Sequence, residues 1–150
     1  MSSDTDLIKL YSARILALAA DIPHLARLDA PDASIKKRAP LCGSTVTVDI
    51  NVKEGRIAAF GQDVKACALG QAAASVVGDV VIGCTHEQIV NARDALQAML
   101  KSDGPTPASP FDGLEVLRPA SAYKNRHASI MLTLTALAEA MENVSQKSCA

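Results

Sequence analysis

The sequence predicts an α+β domain: an N-terminal helix, a three-stranded antiparallel sheet, and then helices packed on one face of that sheet. Three observations carry this prediction. Residues 44–53 alternate, with Val46, Val48, Ile50 and Val52 on one side and Thr45, Thr47, Asp49 and Asn51 on the other, which is the period of a strand with one dry face. The pair Glu54-Gly55 that follows is a hairpin turn signal. After Cys67 the apolar period becomes helical, so strands fall in one block and helices in another.

Each element has its own warrant. Leu7, Tyr11, Ile15 and Leu18 recur at steps of four and three and place a helix over residues 5–20, with Asp4, Thr5 and Asp6 as capping oxygens and Pro23 as its end. Residues 23–40 carry Pro23, Pro31 and Pro40 and the run Lys36-Lys37-Arg38, which predicts a surface connection with a solvated basic face. That run lies just before Cys42, where it is also placed to support a thiolate or attract an acidic partner. Residues 56–62 form the return strand through Ile57 and Phe60, and residues 63–66 a short third strand.

Leu69, Ala72, Ala73, Val76, Val77, Val80 and Val81 make the apolar stripe of the next helix, and Gly83 ends it. Thr85 and Gln88 form a capping box for a helix that runs to about Lys101, with Ile89, Ala92, Leu96 and Met99 inward. A Gly/Pro loop covers residues 102–110, and residues 111–117 form a short helix or an irregular packed segment. The last helix spans residues 120–144, with Ile130, Leu134, Leu137 and Met141 on its core face, and the tail from about 146 to 150 is frayed.

A chain of 150 residues with 49% hydrophobic content suits one domain spanning residues 1–150. A net charge of −1 and an aromatic content of 3% argue against a nucleic-acid surface and against base-stacking platforms. No stretch is long and apolar enough to cross a bilayer, and the acidic start lacks the basic region of a signal peptide, so a cytoplasmic protein is expected. Cysteines in such a chain are free thiols or metal ligands rather than disulfides. Their spacing fits neither a zinc finger nor a CxxC redox pair.

Two of the four cysteines stand out. Cys42 sits on a Pro/Gly turn, and Cys67 opens a helix, where unpaired backbone N–H groups and the helix dipole favour an anionic sulfur. Cys84 reads as a packed thiol at the far end of the same helix, and Cys149 as a tail thiol without a role. Asp49 and Glu54 have no partner acid for two-carboxylate catalysis, and Ser75 lacks a nucleophile-elbow setting, so the residues do not predict an enzyme.

Three motifs carry a resemblance over most of the chain. Pro40-Leu-Cys42-Gly43 resembles the Pro-x-Cys-Gly-Asp of the NifU/IscU-type iron–sulfur cluster assembly scaffolds, especially their SufU-like branch. Cys67-Ala-Leu-Gly-Gln-Ala-Ala-Ala-Ser75 resembles their Cys-Ala-Ile-Ser-x-Ala-Ser-Ala-Ser, the most specific of the three. Arg126-His-Ala-Ser129-Ile-Met-Leu132 falls on their Arg-x-Lys-Cys-Ala-x-Leu segment, and Leu10-Tyr11 on their N-terminal helix motif. The resemblance implies the same α+β fold and a non-enzymatic role. Such a scaffold accepts sulfur from a cysteine desulfurase, holds a nascent cluster or zinc on three cysteines and an aspartate, and passes the cluster to recipient proteins.

The chain departs from that pattern at two ligand positions. Ser44 replaces the aspartate, and Ser129 replaces the third cysteine, with Ala128 before it where the family has Lys or His. Cys42 and Cys67 remain to bind iron, a transient [2Fe–2S] cluster or zinc. Two thiolates do not close a site that wants four ligands. His127 and Ser129 are the additional candidate ligands, and a homodimer with two thiolates from each chain is the other completion. Two rival readings follow from the lost ligands: a degenerate scaffold that acts as an interaction protein without metal, and a sulfurtransferase-like acceptor in which Cys67 carries a persulfide.

Overall fold

The structure, a computed structural model, describes residues 12–40 and 43–149. Helix α1 covers Ala13–Ala20, and strands β1 (Ala33–Arg38), β2 (Thr45–Lys53) and β3 (Arg56–Lys65) follow. Helices α2 (Ala68–Val80) and α3 (His86–Ser102) come next, then 3-10 segments over Phe111–Ala122 and Lys124–Arg126, and finally α4 (His127–Cys149). The predicted cap at Asp4 to Asp6 and the helical positions Leu7 and Tyr11 lie outside the described residues, as does the Leu10-Tyr11 motif. Ser12 caps α1, accepting from the Ile15 N–H through its side chain.

The sheet has the order β1-β2-β3 and is antiparallel throughout. A two-residue turn joins β2 to β3. Glu54 and Gly55 both have positive φ, 56° and 76°, the combination whose twist matches paired antiparallel strands. Val46, Val48 and Ile50 are fully buried and face α4, which packs on β1 and β2 and against α2 and α3. The face read from sequence for α3, Ile89, Ala92, Leu96 and Met99, is buried, and so are Ile130, Leu134, Leu137 and Met141 of α4. The capping box is present as expected, with Thr85 and Gln88 bonded reciprocally.

The α+β class is as the sequence predicts, but three elements differ. Residues 33–38, expected in a surface connection, are an edge strand; alternating burial places Ile35 and Lys37 inward of Ser34, Lys36 and Arg38, and charged side chains are common on sheet edges. The return strand and the short third strand are one continuous strand of 10 residues. The last helix runs from His127 to Cys149 instead of over residues 120–144: Pro119 and its neighbours belong to the 3-10 segment, and the helix continues through the expected frayed tail to Cys149. Among the described residues no helix is long and apolar enough to cross a membrane.

The loop between α1 and β1 folds back along the edge strand β3. The Gln62 N–H donates to His24 O at 3.0 Å, and the Gln62 side-chain amide donates to Pro23 O and Ala74 O. His24 meets Phe60 edge to face, with ring centroids 6.0 Å apart. This arrangement satisfies part of the strand edge and ties it to the middle of α2 at Ala74.

Candidate functional site

Cys67 is the N-cap residue of α2, with extended backbone angles and no side-chain capping bond. Its sulfur is therefore not spent on the helix's own N–H groups. Cys67 Sγ instead lies 3.5 Å from Ser129 Oγ, although the two are 62 residues apart in sequence. Ser129 stands in the first turn of α4 and is 1% exposed. Its hydroxyl donates to Ser44 Oγ at 3.2 Å.

Ser44 precedes β2 and is buried. The turn that carries it is closed at its base: the Ala39 N–H donates to Ser44 O at 2.8 Å, and the Gly43 N–H to Ala39 O at 2.9 Å. Gly43 takes a φ of 72°, which its lack of a Cβ permits. Positions 44, 67 and 129 thus meet at one end of the sheet. Leu41 and Cys42 lie outside the described residues, and so does the side chain of Cys149.

His127 is placed differently. Its Nε2 sits 3.1 Å from both Ala120 O and Ser121 O, carbonyls of the preceding 3-10 segment. The ring lines a surface cavity of about 600 Å³ with Lys101, Lys124 and Met131. Cys84 is buried, its Sγ donates to Val80 O at 3.4 Å, and burial pushes its thiol up against a smaller opposing pull from Arg56. It lies beyond the other end of α2 from Cys67, about 20 Å away along a helix of 13 residues.

Among the described residues no group of three or more His, Cys, Asp or Glu side chains converges on one point. The donors beside Cys67 are hydroxyls. Ser129 is a candidate ligand from sequence, whereas Ser44 reads there only as a lost ligand position and joins the cluster through its bond from Ser129. Its place two residues after Cys42 was the signal that it shares the site.

A helix-opening cysteine, a buried residue from a sheet-end turn and a buried residue from the first turn of a C-terminal helix define a small α+β domain with a cysteine-centred site at one end of its sheet. The chain belongs to the NifU-like N terminal domain family, whose model matches residues 10–147. It is similar to the solved N-terminal domain of a nitrogen-fixing NifU-like protein from Brucella abortus, with 40% identity over 95% of this chain and 99% of that one, at a TM-score of 0.92. It also shares its fold with a putative iron–sulfur cluster assembly scaffold protein for the SUF system from Fervidobacterium islandicum AW-1. There the identity is 17% over 89% of this chain and 98% of that one, and the TM-score is 0.78. No curated protein gives a significant match.

Proposed function

We propose that the protein is a non-catalytic iron–sulfur cluster assembly scaffold that holds iron, a nascent [2Fe–2S] cluster or sulfur as cargo on Cys42 and Cys67. Membership of the NifU-like family supports the role. The single observation that carries it here is the 3.5 Å approach of Cys67 Sγ to Ser129 Oγ, with Ser44 Oγ 3.2 Å beyond. A tetrahedral metal with a sulfur at about 2.3 Å and an oxygen at about 2.1 Å separates those two ligands by about 3.6 Å. The side chains therefore stand at the spacing of neighbouring ligands before any metal arrives. Cys42 is two residues before Ser44 in sequence, which is the reason for including it in the set.

Neutral hydroxyls are poorer ligands for thiophilic metals than the aspartate and cysteine of the family pattern. The cargo is accordingly held weakly and released readily, and a second chain supplying two more thiolates is a way to strengthen it. His127 stays outside this ligand set, because its ring lines a separate cavity with Lys101, Lys124 and Met131. A cysteine desulfurase as sulfur donor and cluster-recipient proteins are the partners that the family role calls for.

The half-buried position of Cys67 and its freedom from capping favour a second reading, in which it carries a persulfide. The Cys67 thiolate would attack the outer sulfur of the desulfurase persulfide. The donor S–S bond breaks as the Cys67 S–S bond forms, and the desulfurase cysteine leaves as a thiolate.

Anaerobic reconstitution with iron and sulfide, followed by visible absorption and metal per chain, tests the scaffold reading. A charge-transfer band that is lost in the C42A/C67A double variant is expected. A colourless wild-type protein, or a band that survives the double substitution, overturns it. Mass spectrometry after incubation with a desulfurase and cysteine separates the persulfide reading by the added sulfur on Cys67.

A further inference from the structure

We propose that Gly70 is a positioning residue of this site: its missing side chain is the space in which the Ser129 hydroxyl stands against Cys67. Gly70 is the third residue of α2, and its backbone does not take the left-handed conformation that requires glycine. Glycine is also a poor helix former, so neither local reason explains it. The surroundings do. A Cβ at position 70 would lie 2.4 Å from Ser129 Oγ, 2.9 Å from Ala66 Cβ and 3.2 Å from Ser129 O.

The first distance is far inside van der Waals contact, and Ser129 has no solvent to turn into, being 1% exposed. On this chain's backbone a Cβ at 70 therefore requires the Ser129 hydroxyl to leave its place against Cys67 Sγ, or the first turns of α2 and α4 to separate. Either outcome takes the hydroxyl away from Cys67 Sγ without altering the thiol itself. Gly70 acts through Ser129 and is a positioning residue. As far as metal binding goes, this inference rests on the scaffold reading above. The steric claim stands without it.

A double-mutant cycle between G70A and S129A, read by thermal unfolding, tests the steric claim, because S129A removes the nearest of the three atoms that the new methyl would strike. G70A is expected to lower the melting temperature of the wild-type chain, and most of that loss is expected to vanish in the S129A background. G70A failing to fold while G70A/S129A folds is the same result in stronger form. An equal effect of G70A in both backgrounds, or failure of both variants to fold, overturns the proposal.

Co2+ titration of the folded variants reads the site itself through thiolate-to-metal absorption. G70A and S129A are each expected to weaken Co2+ binding by about 10–100-fold, and together by no more than either alone. G70A binding Co2+ like the wild type while S129A binds it weakly overturns the positioning role. Absence of Co2+ binding by the wild type counts against the cargo reading, and the thermal cycle then decides the role of Gly70 alone.

Discussion

Arg27 and Asp49 form a two-pronged ion pair across the outer face of the sheet. Arg27 Nε donates to Asp49 Oδ2 at 2.6 Å and Nη2 to Oδ1 at 3.1 Å. Asp49 also accepts from Ser34 Oγ at 2.6 Å and from the Leu28 N–H at 3.0 Å. Asp49 is fully buried, while the Arg27 side chain is half exposed. One carboxylate thus ties β1 and the loop before it to the central strand. Removing it leaves the Leu28 N–H and Ser34 hydroxyl without their acceptor. D49A is expected to cost about 2–4 kcal/mol, read by urea unfolding, from the loss of several hydrogen bonds at a buried acceptor.

The same carboxylate makes stability depend on pH. Burial alone would raise its pKa. Hydrogen bonds from Arg27, Ser34 and the Leu28 N–H, together with the Arg27 charge, outweigh burial and hold it below the usual carboxylate range. The native state therefore binds this proton less readily than the unfolded chain does. Its stabilisation is complete above the unfolded value of about 3.9 and is lost as pH falls through the lower folded value. Urea midpoints between pH 5 and pH 2 should fall more steeply for the wild type than for D49N. Parallel curves would show that Asp49 does not contribute in that window.

Gly61 pairs with Asp49 across the β2–β3 ladder, and the loop descends on it. A Cβ there would stand 2.1 Å from Ala26 O, a backbone atom that cannot swing aside. G61A must lift the loop and with it the bond from the Gln62 N–H to His24 O. A loss of about 3 kcal/mol is expected, which for a domain of this size lowers the melting temperature by about 6–12 °C. G61A and D49A hold down the same loop, so the double variant should lose less than the sum of the singles. A strictly additive double variant would mean that they act separately.

These features explain which parts of the fold were legible in sequence. The β2–β3 hairpin and the faces of α3 and α4 were readable because alternation, the Glu54-Gly55 turn and the Thr85 capping box are local signals. Strand β1 was not, because Lys36, Lys37 and Arg38 look like a solvated run until Lys37 Nζ is seen 2.6 Å from Glu139 on α4. Asp49 alternates with apolar neighbours as a solvent-facing residue would, and only the returning loop buries it. At the site, Cys67 announced itself by opening a helix. Ser44, Gly70 and Ser129 are unremarkable residues that gain meaning from meeting Cys67.

The capping box at α3 also supports the outer edge of the sheet. Thr85 Oγ1 accepts from the Gln88 N–H at 3.2 Å, and the Gln88 side chain accepts from the Thr85 N–H at 2.9 Å. The Ile57 N–H of β3 donates to Cys84 O one residue earlier. T85A is expected to cost about 1 kcal/mol, or about 2–4 °C in melting temperature. T85S, which keeps the hydroxyl, should recover most of that loss. If T85S is as damaging as T85A, the Thr85 methyl rather than the cap is the source.

The two cysteines at opposite ends of α2 should differ sharply towards thiol reagents. Cys67 is half buried at the site, with a serine hydroxyl against its sulfur. Cys84 is buried, bonded to Val80 O, and made harder to ionise by burial. The reactive species is the thiolate, so both access and ionisation disfavour Cys84. Iodoacetamide at neutral pH, followed by peptide mapping, should label Cys67 in the native protein and Cys84 only after denaturation. Prior addition of Co2+ or Zn2+ should slow labelling of Cys67 and leave Cys84 unchanged, since of these two only Cys67 lies at the proposed site. Protection of neither would detach metal binding from this end of α2. Native labelling of Cys84 at the rate of Cys67 would show that the core around α2 opens far more often than its burial implies.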